Sequence, residues 1–176
     1  MKFRPTPLEG AFIIELEAHS DHRGAFARTF CAREFESAGF KTDFVQTNVS
    51  RSNRKGTLRG MHFQRGQAAE VKLVRVTAGR ILDVIIDVRR SSPTFGKHLK
   101  IELARDDNRL LYVPEGFAHG FVTLEDDCHV TYQVSNFYSP GDEGGIRWND
   151  PFFGIDWPII DPIMSDKDAA YPDFVA

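Results

Sequence analysis

Two short segments, each carrying one histidine beside glycine, constrain the fold of this chain more than any other feature. The first reads Thr-Leu-Arg-Gly-Met-His-Phe-Gln at residues 57–64, and the second reads Pro-Glu-Gly-Phe-Ala-His-Gly-Phe at residues 114–121. Apolar and aromatic residues broken by glycine are typical of a strand that enters or leaves a tight turn. We therefore expect His62 and His119 to lie beside turns in a β-rich protein.

Many short strands are predicted around these two segments. Residues 81–88 are rich in β-branched side chains, and residues 71–77 precede them across a glycine hairpin turn. Further strands are predicted at residues 11–16, 26–30, 44–50, 99–103, 109–113, 121–124 and 130–136. Such spacing is typical of a sandwich or a closed barrel. One helix is predicted at residues 32–38, and residues 149–176 are expected to be irregular with short helical turns.

Size and composition exclude several classes of protein. The 176 residues suffice for one domain with a sizeable core, and no repeat or linker divides them, so we expect a single domain over residues 1–176. A net charge of −3 gives no reason to expect a nucleic-acid partner. No apolar run approaches the ~20 residues that span a bilayer, so no membrane association is expected. Only Cys31 and Cys128 occur, which indicates a reducing compartment, and we expect the cytoplasm.

The second segment resembles the Pro-x-Gly-x-x-His motif of the cupin superfamily. A metal-binding cupin would carry His-x-His in the first segment, whereas this chain reads His62-Phe63-Gln64 and lacks one ligand. The resemblance implies an all-β, cupin-type double-stranded β-helix, also described as a jelly-roll barrel. The altered ligand set implies acid–base chemistry by side chains alone, with neither a metal nor a cofactor.

A second resemblance extends over nearly the whole chain. Its pieces include Asp-His-Arg-Gly at 21–24, Phe-Val-Gln-Thr-Asn at 44–48, Lys-Leu-Val-Arg-Val at 72–76, Tyr-Ser-Pro at 138–140 and Ser-Asp-Lys-Asp at 165–168. In this order and spacing they resemble the dTDP-4-dehydrorhamnose 3,5-epimerase family. The resemblance implies epimerisation at C3 and C5 of a nucleotide-linked 4-keto-6-deoxyhexose through an enolate.

The chemistry of a 4-keto sugar needs three kinds of side chain, and the resemblance supplies candidates for them together with a partner for the base. Epimerisation beside a ketone requires a base, an acid on the opposite face of the ring and a donor to the enolate oxygen. His62 fits the base, because imidazole titrates near neutral pH, and the resemblance gives Asp168 as its partner. Tyr132 fits the acid, and Lys72 would stabilise the developing negative charge.

Contacts to the nucleotide sugar are also implied by the resemblance. Arg23 and Arg59 are suited to diphosphate recognition, Phe26 offers a ring to the pyrimidine, and Tyr138 offers one near the sugar. The other matched binding positions are Gln46, Thr47, Asn48, His119, Glu143 and Lys167. The family builds its site at a dimer interface, so we expect a homodimer with shared active sites in which Arg23 and Phe26 serve the neighbouring subunit.

Each role has a structural alternative in the sequence. His62 and His119 could be half-buried structural histidines, Lys72 could be an exposed edge-strand lysine, and Asp168 could cap a C-terminal helical turn. The phenols of Tyr132 and Tyr138 could be tethered core aromatics.

One geometric difficulty concerns the first segment. Arg59 and His62 are three positions apart, so a regular strand would turn them to opposite faces. Both can enter one pocket only if the strand contains a bulge or a twist, and Gly60 is the obvious place for it.

One position departs from the family pattern. The family shows an acidic residue where this chain has Arg28 in Arg-Gly-Ala-Phe-Ala-Arg-Thr-Phe at 23–30. Thymine N3 donates a hydrogen bond and cytosine N3 accepts one, so an arginine there raises the hypothesis that the nucleotide is not dTDP. The alternative is that Arg28 points to solvent and the base is held elsewhere.

Other function classes remain open from the sequence. A single-site 3- or 5-epimerase acting on a related nucleotide sugar would share the same motif residues. A non-catalytic sugar-binding cupin has no need for His62, Lys72, Tyr132 and Asp168 together. A metal-dependent cupin enzyme fits less well, because Gln64 replaces a ligand.

Overall fold

The computed structural model describes residues 1–175; Ala176, the last residue of the expected domain and of its irregular C-terminal segment, lies outside the described residues. The first strands are β1 (Lys2–Pro5), β2 (Phe12–Glu15), β3 (Ala18–Asp21), β4 (Gly24–Ala27), β5 (Gln46–Ser52), β6 (Leu58–Gln64) and β7 (Lys72–Ala78). They are followed by β8 (Arg80–Asp87), β9 (His98–Ala104), β10 (Arg109–Val113), β11 (Phe117–Thr123), β12 (Cys128–Val134) and β13 (Glu143–Gly145). The helices are α1 (Ala32–Ser37) and α2 (Asp166–Ala169), with a 3₁₀ turn at Gly66–Ala68.

Two antiparallel sheets form the body of the protein. The six-stranded sheet has the order β1-β2-β10-β7-β12-β5, and the five-stranded sheet has the order β13-β6-β11-β8-β9. Strands β3 and β4 form a separate hairpin. The expected all-β jelly-roll architecture is confirmed, although over residues 1–175 the two sheets are not joined into one closed ladder. Neither helix in this range is long and apolar enough to cross a membrane.

Strand alternation decides which side chains face the space between the sheets. On β7, Val74 and Val76 belong to the central core, and Lys72 has the same parity. On β8, Ile81 and Ile85 belong to that core, and Asp83 lies between them with the same parity. Because successive residues of a strand point to opposite faces, the polar side chains Lys72 and Asp83 are carried inward with the apolar ones.

Each sheet is covered on its outer face by a different part of the chain. Helix α1 and the segments on either side of it cover the six-stranded sheet, and their rings pack with rings of its own strands. The cluster consists of Phe30, Phe35, Phe40 and Phe44 with Phe3, Phe12 and Tyr112 of the sheet. The C-terminal segment covers the five-stranded sheet through Phe153, Trp157 and Ile159. The abundant phenylalanines are thus mostly core, while Phe26 stays 73% exposed on the β3–β4 hairpin.

Most predicted strands are present, with shifted ends. The hairpin turn at Gly79 is confirmed by a φ of +70° between β7 and β8. The strand predicted at residues 26–30 was wrong beyond Ala27, because the chain leaves the hairpin there to place Phe30 against Phe35. Strands β1, β3 and β13 were not predicted, since each has only three or four residues and pairs at an edge or in a hairpin.

Gly60 supplies the irregularity that the spacing of Arg59 and His62 requires. His62 pairs with His119 and Arg59 pairs with Phe121, so three steps along β6 match two steps along β11. One extra residue in a strand is a β-bulge. Gly60 has a φ of +129°, which glycine adopts readily and other residues do not. The bulge predicted at Gly60 is confirmed, and it lets both side chains reach one cavity.

Replacing Gly60 by alanine is expected to lower the free energy of unfolding by at least ~3 kcal/mol. The new Cβ would lie 2.5 Å from the Cα atom of Gly120 and 2.9 Å from the carbonyl oxygen of His119. Urea unfolding measures the loss. Gly141→Ala is the matched control, because nothing lies within 4 Å of its added Cβ. Wild-type stability in Gly60→Ala, or an equal loss in Gly141→Ala, would contradict the role of the bulge.

Candidate active site

An open cleft lies between the two sheets and has two lobes of about 300 Å³ and 290 Å³. His62, Lys72 and Tyr132 line both lobes, so they stand where the lobes meet. The first lobe is otherwise lined by Gln46, Asn48, Phe63, Gln64, Glu70, Val134, Tyr138 and Glu143. The second is otherwise lined by Ser50, Arg59, His119, Gly120, Phe121, Ser165, Lys167 and Asp168. Either volume suits a small ligand.

His62 is paired with a buried carboxylate. Its Nε2 lies 2.8 Å from Oδ1 of Asp168, whose other oxygen accepts the backbone N–H of Gly60 at 3.1 Å. Burial works to raise the pKa of Asp168, but the hydrogen bonds from His62 and Gly60 outweigh it and hold that pKa below its usual value. The cap of α2 is Ser165, whose hydroxyl accepts from Asp168 N, so Asp168 is not the capping residue.

Lys72 and Tyr132 face the cleft from the six-stranded sheet. Lys72 is 8% exposed and lies on β7, an internal strand between β10 and β12, so the edge-strand alternative is wrong. Tyr132 is opposite Val74 on β7, and Val134 is opposite Lys72. Lys72 and Tyr132 are therefore diagonal neighbours on one face, a separation that long side chains can bridge. Burial, reinforced by the negative charge of Glu70, raises the pKa of Tyr132 and keeps its phenol protonated at neutral pH.

His119 forms a second imidazole–carboxylate pair. Its Nε2 lies 3.0 Å from both oxygens of Asp83, which is fully buried on β8. His119 itself is 7% exposed and lines the second lobe beside Phe121. The sequence identified the position of His119 but missed its partner. The acidic residue within a β-branched strand was the available signal, because a buried carboxylate needs a donor.

The rim of the first lobe is a chain of polar contacts. The Tyr138 hydroxyl donates to Oε2 of Glu143 at 2.7 Å, and the Lys167 ammonium donates to the same oxygen at 2.5 Å. Oε1 of Gln46 accepts the backbone N–H of Tyr138 at 2.8 Å. Burial raises the pKa of Glu143, yet the bonds from Lys167 and Tyr138 lower it on balance. The Tyr138 ring stays 56% exposed and is not a core aromatic.

Gln64 and Glu70 were not predicted as site residues. Gln64 stands where the resembled His-x-His motif would carry its second histidine, and it is 5% exposed. Its amide nitrogen lies within 3.2 Å of Ala68 O, Phe137 O and Oε2 of Glu70, and its oxygen accepts Ser139 N at 2.6 Å. Oε1 of Glu70 lies 3.3 Å from the Lys72 ammonium. The sequence contained a signal for Glu70. It stands two positions before Lys72, and residues two apart in an extended chain point to the same side.

Three of the predicted binding residues do not line the cleft. Thr47 is exposed on the face of β5 opposite to that of Gln46 and Asn48, which point inward. Arg23 and Phe26 project from the β3–β4 hairpin, where Arg23 pairs with Asp21 at 2.6 Å.

The arginine that departs from the family pattern also lies outside the cleft. Arg28 is 63% exposed and pairs with Glu34 at 2.9 Å. Its nearest charged partner is thus a carboxylate of α1, not a residue of the cleft.

The four remaining histidines do not line the cleft. His19 and His22 are exposed, whereas His98 and His129 are half-buried at strand positions. Among residues 1–175, no group of three or more His, Cys, Asp or Glu side chains is arranged to hold a metal ion.

Comparison with known proteins places the chain in a family. Residues 5–176 match the profile described as dTDP-4-dehydrorhamnose 3,5-epimerase. The enzyme of that name from Salmonella typhimurium is 46% identical over 169 residues, which cover 95% of this chain and 92% of that protein. The Bacillus anthracis crystal structure, with TDP and PPi bound, has a TM-score of 0.96 at 42% identity, covering 98% and 99% of the two chains. The Legionella pneumophila enzyme, in complex with dTDP-4-keto-L-rhamnose, has a TM-score of 0.90 at 37% identity and covers 99% of both chains.

Two facing antiparallel sheets and an imidazole–carboxylate pair, an ammonium and a phenol in one cleft define a cupin-type protein equipped for proton transfer. The expected cupin-type fold is confirmed by these solved relatives. The chain belongs to the dTDP-4-dehydrorhamnose 3,5-epimerase family, an isomerase family.

Replacing His119 by phenylalanine is expected to lower the free energy of unfolding by about 3 kcal/mol, because it leaves the Asp83 carboxylate buried without its partner. Urea unfolding of the single variant and of His119→Phe/Asp83→Leu measures the effect, and the double variant should recover part of the loss. Asp106→Asn breaks an exposed ion pair with Arg105 and serves as the control, with stability unchanged. A stable His119→Phe single variant would contradict the pairing.

Proposed function

We propose that this protein epimerises C3 and C5 of dTDP-4-dehydro-6-deoxy-D-glucose and so produces dTDP-4-dehydro-L-rhamnose. One observation carries the proposal: in a chain of this family, the His62–Asp168 pair faces Lys72 and Tyr132 across one cleft. A 4-keto sugar needs this combination, because the protons on C3 and C5 are acidified by the adjacent carbonyl.

His62 acts as the base in this proposal. The lowered pKa of Asp168 keeps its carboxylate ionised, so it can only accept hydrogen bonds. Nε2 of His62 must then carry the proton that it shares with Oδ1 of Asp168. Nδ1 is left with its lone pair, and it takes the proton from C3 or C5. Asp168 favours the resulting imidazolium, which is the role of the carboxylate in other His–Asp pairs.

Tyr132 acts as the acid, and Lys72 stabilises the enolate. His62 comes from the five-stranded sheet, whereas Tyr132 and Lys72 come from the six-stranded sheet. A sugar ring bound between the sheets therefore has the base on one face and the acid on the other, which inversion requires. The protonated phenol can return a proton to carbon, and the Lys72 ammonium can donate to the oxygen on C4 as charge develops there.

Binding of the nucleotide and the sugar is assigned to the rest of the cleft. Arg59 and Lys167 supply positive charge for the diphosphate. Gln46, Asn48, His119, Tyr138 and Glu143 supply polar and ring contacts. The proposal keeps dTDP as the nucleotide, because the matching family is named for dTDP sugars, a relative binds TDP, and Arg28 is already paired with Glu34. Thr47 is not included, because its side chain lies on the outer face of β5.

The proposal also includes a cytoplasmic homodimer with shared sites. Arg23 and Phe26 are exposed on a projecting hairpin, away from the cleft of their own chain. Strand β5 is an edge of its sheet and exposes Val49, which favours pairing with a second copy.

The proposal treats residues 1–176 as one domain, since residues from Gln46 to Asp168 line the same cleft. The two free cysteines, Cys31 and Cys128, favour a reducing compartment.

Incubation with dTDP-4-dehydro-6-deoxy-D-glucose in D₂O, followed by proton NMR, tests the reaction. We expect deuterium at both C3 and C5 of the product. His62→Ala should slow exchange at both carbons by at least ~10³-fold, and Asp168→Asn by about 10²-fold, because the base and its orientation are lost. Tyr132→Phe should retain exchange at a carbon that His62 can reach, but it should lose inversion.

His129→Ala is the matched control, because this half-buried histidine lies on the same strand as Tyr132 but outside the cleft. It should behave as wild type. Exchange at only one carbon would favour a single-site epimerase. No exchange in a wild-type protein that binds the sugar nucleotide would favour the sugar-binding alternative, and turnover by His62→Ala would contradict the base.

Mixing two inactive variants tests the shared sites. A dimer formed from His62→Ala and Arg23→Ala subunits should contain one site with both lesions and one with neither. Random reassembly after co-refolding should then restore about one quarter of the wild-type rate.

The control mixture is His62→Ala with Asp168→Asn. Both of these residues belong to the same chain's cleft, so every site keeps one lesion and no activity should return. A dimer that recovers no activity in the first mixture would contradict sharing through Arg23, and a monomer in sedimentation would contradict the homodimer.

A further inference from the structure

Glu70 is a charged residue of the cleft that the reaction described above does not use. Its side chain is 11% exposed, although carboxylates are seldom buried without a partner. It lines the first lobe with His62, Lys72 and Tyr132. One of its oxygens lies 3.3 Å from the Lys72 ammonium, and the other accepts the Gln64 amide at 3.0 Å. Both oxygens are therefore held, and the carboxylate has one fixed position.

The segment that carries Glu70 is fastened to both sheets. Val71 N donates to the Ser135 hydroxyl at 2.9 Å, and Ser135 N donates to Val71 O at 3.1 Å. Gln64, on the opposite sheet, donates to Ala68 O at 3.0 Å. An ion pair at the surface lacks such hydrogen bonds to the backbone around it. In this segment they fix the distance between the Glu70 carboxylate and the groups beside it.

We propose that Glu70 is a positioning residue of the reaction, which holds the Lys72 ammonium at the carbonyl oxygen of the sugar and places its negative charge in the same lobe as Tyr132. The inference rests on the proposed function, since it concerns the acid and the enolate donor of that reaction. Lys72 has three N–H donors, and the salt bridge to Glu70 occupies one of them. The others remain for the sugar, and the ammonium is kept from swinging out of the cleft.

The charges around Tyr132 explain why a carboxylate is needed there. The cationic groups that share the cleft with Tyr132 are Arg59 of β6, Lys72 of β7 and Lys167 of α2, and the imidazoles of His62 on β6 and His119 on β11 also line it. The acidic groups are Glu70, Glu143 of β13 and Asp168 of α2, and Tyr138 is the other phenol. Positive charge favours the phenolate, whereas an acid catalyst must keep its proton. Arg59 lowers the pKa of Tyr132, and Glu70 raises it, in addition to the larger effect of burial.

The substitution Glu70→Gln removes the charge and keeps the size, and Glu70→Asp keeps the charge. Each is made with and without Tyr132→Phe, so that the difference in near-ultraviolet phenolate absorbance reports the titration of Tyr132 alone. In Glu70→Gln this titration should move to lower pH, because the carboxylate that raises the pKa of Tyr132 is removed. In Glu70→Asp it should stay near the wild-type position. Circular dichroism across the same pH range verifies that each variant is folded.

Kinetics with the 4-keto sugar nucleotide provide the second readout. The alkaline limb of the kcat profile should move in the same direction as the phenol titration in Glu70→Gln. The value of kcat should fall about tenfold, because Lys72 loses its support, with a smaller change in KM. The control is Glu115→Gln, which breaks a Glu–Lys pair of the same 3.3 Å separation at the surface, with Lys41. It should leave the Tyr132 titration and kcat unchanged.

The two readouts separate the possible failures. A Tyr132 titration that is the same in wild type and Glu70→Gln overturns the inference, whether or not the protein is an epimerase. Equal losses of kcat in Glu70→Gln and Glu70→Asp, without a shifted titration, also overturn it, because they indicate a merely structural role. An inactive wild-type protein with a shifted titration contradicts the proposed function while supporting the electrostatic coupling.

Discussion

The chemistry of the cleft depends on the carboxylate of Asp168. One oxygen binds the His62 ring and the other binds the N–H of Gly60, so a single side chain fixes both the base and the bulge that turns it inward. Asp168 and His62 are 106 positions apart, and they meet only when the C-terminal segment docks on the five-stranded sheet. Burial of one large apolar side chain contributes about 1.5–3 kcal/mol, as does one hydrogen bond to a charged group, but the segment packs Phe153, Trp157 and Ile159 on the sheet and makes only one such pair with His62. Packing therefore contributes most of the free energy that keeps the C-terminal segment docked on the five-stranded sheet. The His62–Asp168 pair determines the position at which the segment docks.

The sequence predicted those parts of the fold that local patterns determine. Alternation in residues 71–88 and the glycine between them defined β7, its turn and β8. The bulge followed from the spacing of Arg59 and His62, because strand geometry forbids both from facing one side otherwise. The end of β4 and the short strands β1 and β13 depend instead on tertiary contacts, such as Phe30 with Phe35 and β13 with β6. Local propensity carries little information about them.

The candidate site was predicted unevenly for the same reason. The side chains of the two histidine segments and Asp168 could be found from motifs, and the structure brings them to one cleft. Asp83 lies within β8 and Glu70 in the loop before β7, and only the tertiary structure shows that His119 and Lys72 lie beside them. Thr47 matched a motif, but strand parity turns it away from Gln46 and Asn48. A motif fixes the identity of a residue, and the face of the strand fixes what it can touch.

Gln64 shows how one altered position can change the use of a cupin cleft. An amide presents donors and an acceptor at once, whereas an imidazole ligand presents one lone pair to a metal. In this chain the donors reach the Ala68 carbonyl and Glu70, and the acceptor takes Ser139 N. The amide thus holds the loop before β7 and the loop after β12 against β6. Since Glu70 in turn contacts Lys72, the position that would ligate a metal elsewhere supports the ammonium that faces the sugar carbonyl in the proposed reaction.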